Sequence, residues 1–293
     1  MATNQTPGVT ARFAPSPTGE LHLGHAFAAF IAHRAARETG GRFLVRMEDL
    51  DVGRCTPAHA AAILADLHWL GLSPDGPVWH QSTRFTHYQA ALDRLMQAGL
   101  VYPCFCTRGD IAREIAAMVT APHGPDGPLY PGTCRRLSTT ERQARQKAGE
   151  IPAWRLDTER ALSLLGGQPL VFEETGLGPQ GETGTITVDG TLLGDVVLGR
   201  KDVGASYHLA VVVDDAEQGI TLVTRGEDLF AATHVQRLLQ FVLGLPCPAY
   251  RHHRLIRAAD GRRLSKRDCG QTLASRRAGR ATPRELWEEL GLG

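Results

Sequence analysis

Apolar positions along this chain change period several times, and each change marks an element. Residues 9–14 form a short strand-like run, 24–38 repeat at helical spacing, and 42–47 return to a strand pattern. Helical patterns follow at 57–71 and 84–99, the first opened by Thr56 and Pro57 as a cap and first-turn pair. Strand-like runs come back at 209–213 and 220–224, and helices are expected at 232–243 and 283–290. Strands alternating with helices predict an α/β fold with a doubly wound, mostly parallel sheet. The middle, 104–190, breaks the rhythm, being rich in Gly, Pro and Thr. We therefore expect residues 1–103 and 191–245 to be the two halves of one catalytic sheet domain. Residues 104–190 are then an insertion, and 246–293 a loop with a short C-terminal helical segment.

Composition narrows the class. The chain has 293 residues, 42% hydrophobic and 22% charged, enough for a sizeable core. Its longest apolar runs, such as 26–32, are too short to span a bilayer, and the first residues carry no cationic start before an apolar stretch. A cytoplasmic, membrane-free protein is expected. Net charge is only +1, yet seven Arg or Lys stand against one acid between Arg251 and Arg267, with a second basic cluster at 276–284. Such local stripes suit a specific nucleic-acid contact, and equally a solvated basic face. Six cysteines are present, and Cys104, Cys106 and Cys134 fall within 31 residues, a clustering that points to a metal before disulfides.

Two short motifs carry candidate chemistry. RFAPSPTGELHLGH, 12–25, stands where a strand feeds a helix, the place where doubly wound sheets bind ligands. Gly24 permits close backbone approach, the first helical amides favour a phosphate, and His22 and His25 lie three apart at the helix start. Taken alone, this stretch is equally a stiff loop with two surface histidines. Near the other end stands GRRLSKRD, whose Lys266 is one of only three lysines in a chain with 29 arginines. A flexible ammonium suits an anion that moves during reaction.

Together these motifs resemble the HIGH and KMSKS regions of glutamyl-type class I aminoacyl-tRNA synthetases. The resemblance continues, in the family's order, through FLVRMEDLD, LHWLGLSPDGPVWHQSTRF, LVYPCFCT, YHLAVVVDD and ITLVTRGEDL, and covers about residues 10 to 270. A full-length glutamyl-tRNA synthetase continues into a helical anticodon-binding domain. This chain ends 26 residues after Arg267, so no such domain is expected. The resemblance is therefore to the truncated glutamyl-Q branch. Its members activate L-glutamate with ATP and attach it to queuosine, the modified wobble base of tRNA(Asp).

That resemblance implies a Rossmann-like catalytic domain with a zinc-containing insertion, acting as a monomer on ATP, L-glutamate and queuosine-bearing tRNA(Asp). It places Arg12, Ala14, Ser16, Glu48, Tyr207 and Arg225 on the amino acid, with Glu48 receiving the α-ammonium. His22, Gly24, His25 and Lys266 would bind ATP, accompanied by Mg²⁺, and His22, His25 and Lys266 would assist adenylate formation. The family's Met and final Ser are replaced in Arg263–Leu264–Ser265–Lys266–Arg267, which bears on loop mobility more than on chemistry. Without the resemblance, Glu48, Asp49 and Asp51 form an acidic loop that could hold a metal.

For the insertion, Cys104, Cys106 and Cys134 need a fourth ligand to close a tetrahedral structural zinc site. Donor chemistry favours His123, whereas the family's C-x-C…Y-x3-C spacing favours Tyr130, which we expect. Cys55, Cys247 and Cys269 have no partner spacing, and His33, His68 and His87 are expected to pack or face solvent. Rival functions are a glutamyl-tRNA synthetase fragment charging the tRNA 3′ end, a small-molecule nucleotidyltransferase with an HxGH motif, and a non-catalytic tRNA-binding paralogue.

Overall fold

The structure, a computed structural model, describes residues 8–117, 123–124, 127–257 and 272–292. In chain order, β1 (Thr10–Phe13) leads to α1 (Leu23–Glu38), β2 (Arg42–Met47), α2 (Pro57–Trp69), β3 (Trp79–His80) and α3 (Phe85–Gln97). Next come β4 (Val101–Cys104), α4 (Arg108–Ala117), two-residue strands β5 (His123–Gly124) and β6 (Gly127–Pro128), and α5 (Thr139–Lys147). β7 (Ala153–Leu156), α6 (Thr158–Ser163), β8 (Val171–Glu174), β9 (Gly184–Thr187) and β10 (Val197–Gly199) follow. The remaining described elements are α7 (Tyr207–Glu217), β11 (Leu222–Gly226), α8 (Phe230–Leu243), β12 (Ala249–His253), α9 (Leu273–Ala278) and α10 (Pro283–Glu289).

The main sheet has seven strands in the order β3-β2-β1-β11-β12-β8-β9, parallel except where β9 returns beside β8. The chain runs outward from β1 to β2 and β3, then comes back to β11 on the other side of β1. This reversal opens a crevice beyond the carboxyl ends of β1 and β11, where doubly wound sheets bind their ligands. A second sheet, β10-β7-β4, is antiparallel. Residues 104–190 thus contribute to both sheets: β7 is the central strand of the smaller one, between β10 and β4, while β8 and β9 extend the larger.

One expectation fails. Residues 209–213 are not a strand but the middle of α7. Seven consecutive residues, Leu209 to Asp215, are buried, because α7 packs on α3, α8 and β10. A helix enclosed on every side loses its polar stripe, and its Val-rich run then imitates a buried strand. The hydroxyl of Ser206 accepts from the amide of Leu209 and caps it. The strand that follows begins at Leu222, two residues later than its pattern suggests.

The end of α7 carries two buried carboxylates that tie the sheet together. Asp215 accepts from Arg12 Nε at 3.0 Å and from Arg46 Nη1 at 2.8 Å, joining β1 and β2 to α7. Asp214 accepts from Gln81 at 2.9 Å, Arg84 at 2.8 Å and the hydroxyl of Tyr88 at 2.8 Å. Arg46 is fully buried and lies 3.7 Å from both Asp214 and Glu48. Burial alone would raise the Asp215 carboxyl, but Arg12 and Arg46 more than offset it and hold it below its ordinary value. Its stabilisation is therefore present above the usual Asp range and lost as pH falls through the lowered value. Removing one member of such a group strands the others in low dielectric. Asp215→Asn is expected to lower unfolding free energy by about 3 kcal/mol, measurable by urea denaturation at neutral pH.

Candidate active site

The HLGH stretch starts α1 through its own histidines. His22 is the N-cap with extended backbone, and its Nδ1 accepts from the amide of Gly24 at 3.1 Å. His25 Nδ1 accepts in turn from the amide of His22 at 3.2 Å, which closes a reciprocal cap. Both rings accept at Nδ1, so in the neutral form each carries its proton on Nε2. The ring centroids are 3.8 Å apart. A side chain at Gly24 would meet the His22 ring at 3.1 Å, so glycine is what lets that ring fold back onto the helix start.

Arg12, Ala14, Ser16, Glu48, Tyr207 and Arg225 all line one cavity of about 590 Å³, with His25 at its edge. A neighbouring cavity of about 200 Å³ is lined by His22, Gly24, His253 and Arg254 among others, and shares His25, Ala28, Gly226 and Leu229 with the first. Sequence positions more than two hundred residues apart therefore meet at the sheet's reversal point. Lys266 with the rest of 263–267, and Cys269, lie outside the described residues.

Charge in the larger cavity is divided. Arg12 is held by Asp215 and by the carbonyl of Thr224 at 3.3 Å. Arg225 donates from Nε to His252 Nε2 at 3.1 Å, from Nη1 to Gln236 at 2.7 Å, and from Nη2 to Thr233. Opposite these cations stands Glu48, whose carboxyl burial pushes up to about 7 despite Arg46 and Arg12. Burial also raises the Tyr207 phenol, keeping it a neutral hydroxyl. Two cations and one anion lining one open cavity match a ligand with two carboxylates and one ammonium.

The acidic-loop alternative finds no support. Asp49 accepts from the amide and hydroxyl of Ser82, both at 2.8 Å, and contacts His80, while Asp51 pairs with Arg54. Among the described residues, the group able to share a metal is Cys104, Cys106 and Cys134, with ligand atoms within 4.8 Å of one another. The Tyr130 hydroxyl joins them, 3.4 Å from the Cys104 sulfur and 3.5 Å from that of Cys106. It also accepts from the Cys134 amide at 2.9 Å. The side chain of His123 lies outside the described residues. Burial and the neighbouring sulfurs push the Cys106 thiol up to about 12, so a cation is what would make three thiolates tolerable here.

Several residues at the site escaped the sequence reading. Asp214 and Asp215 stood in a quoted motif without a role, and Arg46, Glu174 and His252 were not singled out. The basic stripes are also less free than their composition suggests. His252 is buried, Arg254 donates to the carbonyl of Leu290, Arg276 pairs with Glu289, and Arg277 with Asp66.

Comparison with known proteins identifies the family. The family model described as tRNA synthetases class I (E and Q), catalytic domain, matches residues 8–285. Glutamyl-Q tRNA(Asp) synthetase of Rhodobacter capsulatus is 50% identical over 287 residues, covering 96% of this chain and 99% of that protein. The protein of the same name from Nocardia farcinica is 46% identical, covering 100% and 88%. Among solved structures, a glutamate tRNA ligase from Elizabethkingia meningosepticum in complex with its amino acid is similar, with a TM-score of 0.71 at 29% identity. The match covers 89% of this chain but 52% of that one, so the chain spans about half the ligase's length.

Proposed function

Because the chain belongs to the class I glutamyl and glutaminyl tRNA synthetase family, and within it to the glutamyl-Q tRNA(Asp) synthetases, we propose that it activates glutamate and transfers it to queuosine in tRNA(Asp). The observation that carries this reading is the single cavity collecting Arg12, Ala14, Ser16, Glu48, Tyr207 and Arg225 beside His22 and His25. The two relatives of that name described above match over 99% and 88% of their length, whereas the glutamate tRNA ligases match over about half of theirs.

In this reading Arg225 grips the side-chain carboxylate with the N–H left on each Nη, and Glu48 receives the α-ammonium. The α-carboxylate is thereby turned toward His25 and the smaller cavity. An oxygen of that carboxylate attacks the α-phosphorus of ATP, the bond to the bridging oxygen breaks, and pyrophosphate leaves with its electrons. His22 and His25, fixed as Nε2–H donors, neutralise charge on the phosphates without a proton transfer, and Lys266 follows the leaving pyrophosphate. ATP enters with Mg²⁺ to offset triphosphate charge. A queuosine hydroxyl then attacks the adenylate carbonyl and displaces AMP. Cys104, Cys106, Tyr130 and Cys134 would hold one structural zinc, which ties β4 to the segment after α4. With ATP and tRNA as substrates, the reaction belongs in the cytoplasm.

Incubation with ATP, labelled glutamate and tRNA(Asp) is expected to label the queuosine-bearing tRNA alone. Label on unmodified tRNA(Glu) would overturn the assignment. The position of Glu48 adds a pH dependence. Only its carboxylate form binds the ammonium, so kcat/KM for glutamate should fall as pH drops below about 7. The limb approaches about tenfold per pH unit. Glu48→Gln should remove it while lowering kcat/KM throughout, as steady-state kinetics would record.

A further inference from the structure

Arg225 is aimed by two residues that line neither cavity. The side chains of His252 and Glu174 are completely buried, and the three residues lie on three adjacent strands. Arg225 on β11 is the register partner of His252 on β12, and Glu174 on β8 pairs with Tyr250 of β12. We propose that Glu174 and His252 are positioning residues that orient the Arg225 guanidinium and so set the pocket's preference for a side-chain carboxylate over a neutral amide. This rests on the glutamate reading of the pocket.

Hydrogen-bond polarity leaves one arrangement. An arginine is always protonated, so its Nε–H must donate, and the His252 Nε2 at 3.1 Å must present a lone pair. The ring's proton then sits on Nδ1 and is donated to Glu174 Oε2. Glu174 can only accept: its other oxygen already receives the amides of His252 at 2.9 Å and Gly176 at 2.7 Å. Burial would raise the Glu174 carboxyl, but these bonds hold it below its ordinary value, and burial with the adjacent Arg225 keeps His252 neutral. The opposite tautomer would set two N–H groups against each other. Glu174 therefore selects the imidazole form that Arg225 requires. With Nη1 on Gln236, Nη2 on Thr233 and the Tyr250 ring 5.2 Å from the guanidinium carbon, the fork is fixed in rotation as well as in place. One N–H remains on each Nη among the described residues, a pair spaced for a carboxylate.

Two substitutions at His252 separate aiming from packing. In His252→Gln the side-chain carbonyl reaches the position of Nε2 and still accepts from Arg225. In His252→Asn the amide reaches only the position of Nδ1, so the bond to Glu174 survives and Arg225 loses its partner. Calorimetric binding of the sulfamoyl analogues of glutamyl- and glutaminyl-adenylate reads the preference directly, with melting temperature recorded alongside. The wild type and His252→Gln should favour the glutamyl analogue, by values within about threefold of each other. His252→Asn should lose about tenfold of that preference, the equivalent of one charge-assisted hydrogen bond. Glu174→Gln should lose part of it, and gives the readout if His252→Asn does not fold. If both variants keep the wild-type preference, or lose only thermal stability, the positioning role is overturned. A wild type without any preference would instead overturn the glutamate reading of the pocket.

Discussion

Asp215 is the pivot of the molecule. A single buried carboxylate at the end of α7 holds Arg12 of β1 and Arg46 of β2, so the two strands that begin the fold are pinned to a helix from its second half. The interaction fixes more than the strands. Arg12, held at 3.0 Å, lines the cavity, and Arg46 brings positive charge within 3.7 Å of Glu48. The protein interior thus supplies the counter-ions that let a cation and an anion stand together at the mouth of the sheet. Desolvation makes such a network costly to assemble and costlier to break. Arg12 thus serves the cavity and the core with the same bonds.

Around this pivot the geometry is a consequence of topology. The reversal of strand order puts the ends of β1 and β11 side by side, so Arg12 and Arg225 face one space. The helix that leaves β1 begins with His22 and His25 as its own caps, which leaves the proton of each neutral ring on Nε2. The two cavities are neighbours because one short loop, 12–25, lines both. The smaller sheet and the sulfur cluster meet at β4, which ends on Cys104.

Much of this was legible from residue order. The helix from 23 to 38 and the strand from 42 to 47 have clean periods, and the residues that the family resemblance put on one ligand do line one cavity. What escaped was tertiary. The 209–213 run was misread because a helix surrounded by α3, α8 and β10 has no polar face to show its period. The pairing of Asp215 with Arg12 and Arg46 spans about two hundred residues, and no local pattern reports it. The relay from Glu174 through His252 to Arg225 was hidden for a related reason: His252 stood in an arginine-rich stretch whose composition suggested a surface. Burial decides its role, and burial is a property of the strand order rather than of the stretch.

The proposed function requires one arrangement, glutamate lying between Arg225 and Glu48 with its α-carboxylate toward His25. A crystal structure with a non-hydrolysable glutamyl-adenylate analogue tests it most directly. It should show the side-chain carboxylate on the Nη atoms of Arg225, the ammonium at Glu48, and the sulfamoyl group, standing in for the phosphate, toward His22 and His25. An analogue bound with its side chain away from Arg225, or with its ammonium far from Glu48, would contradict it.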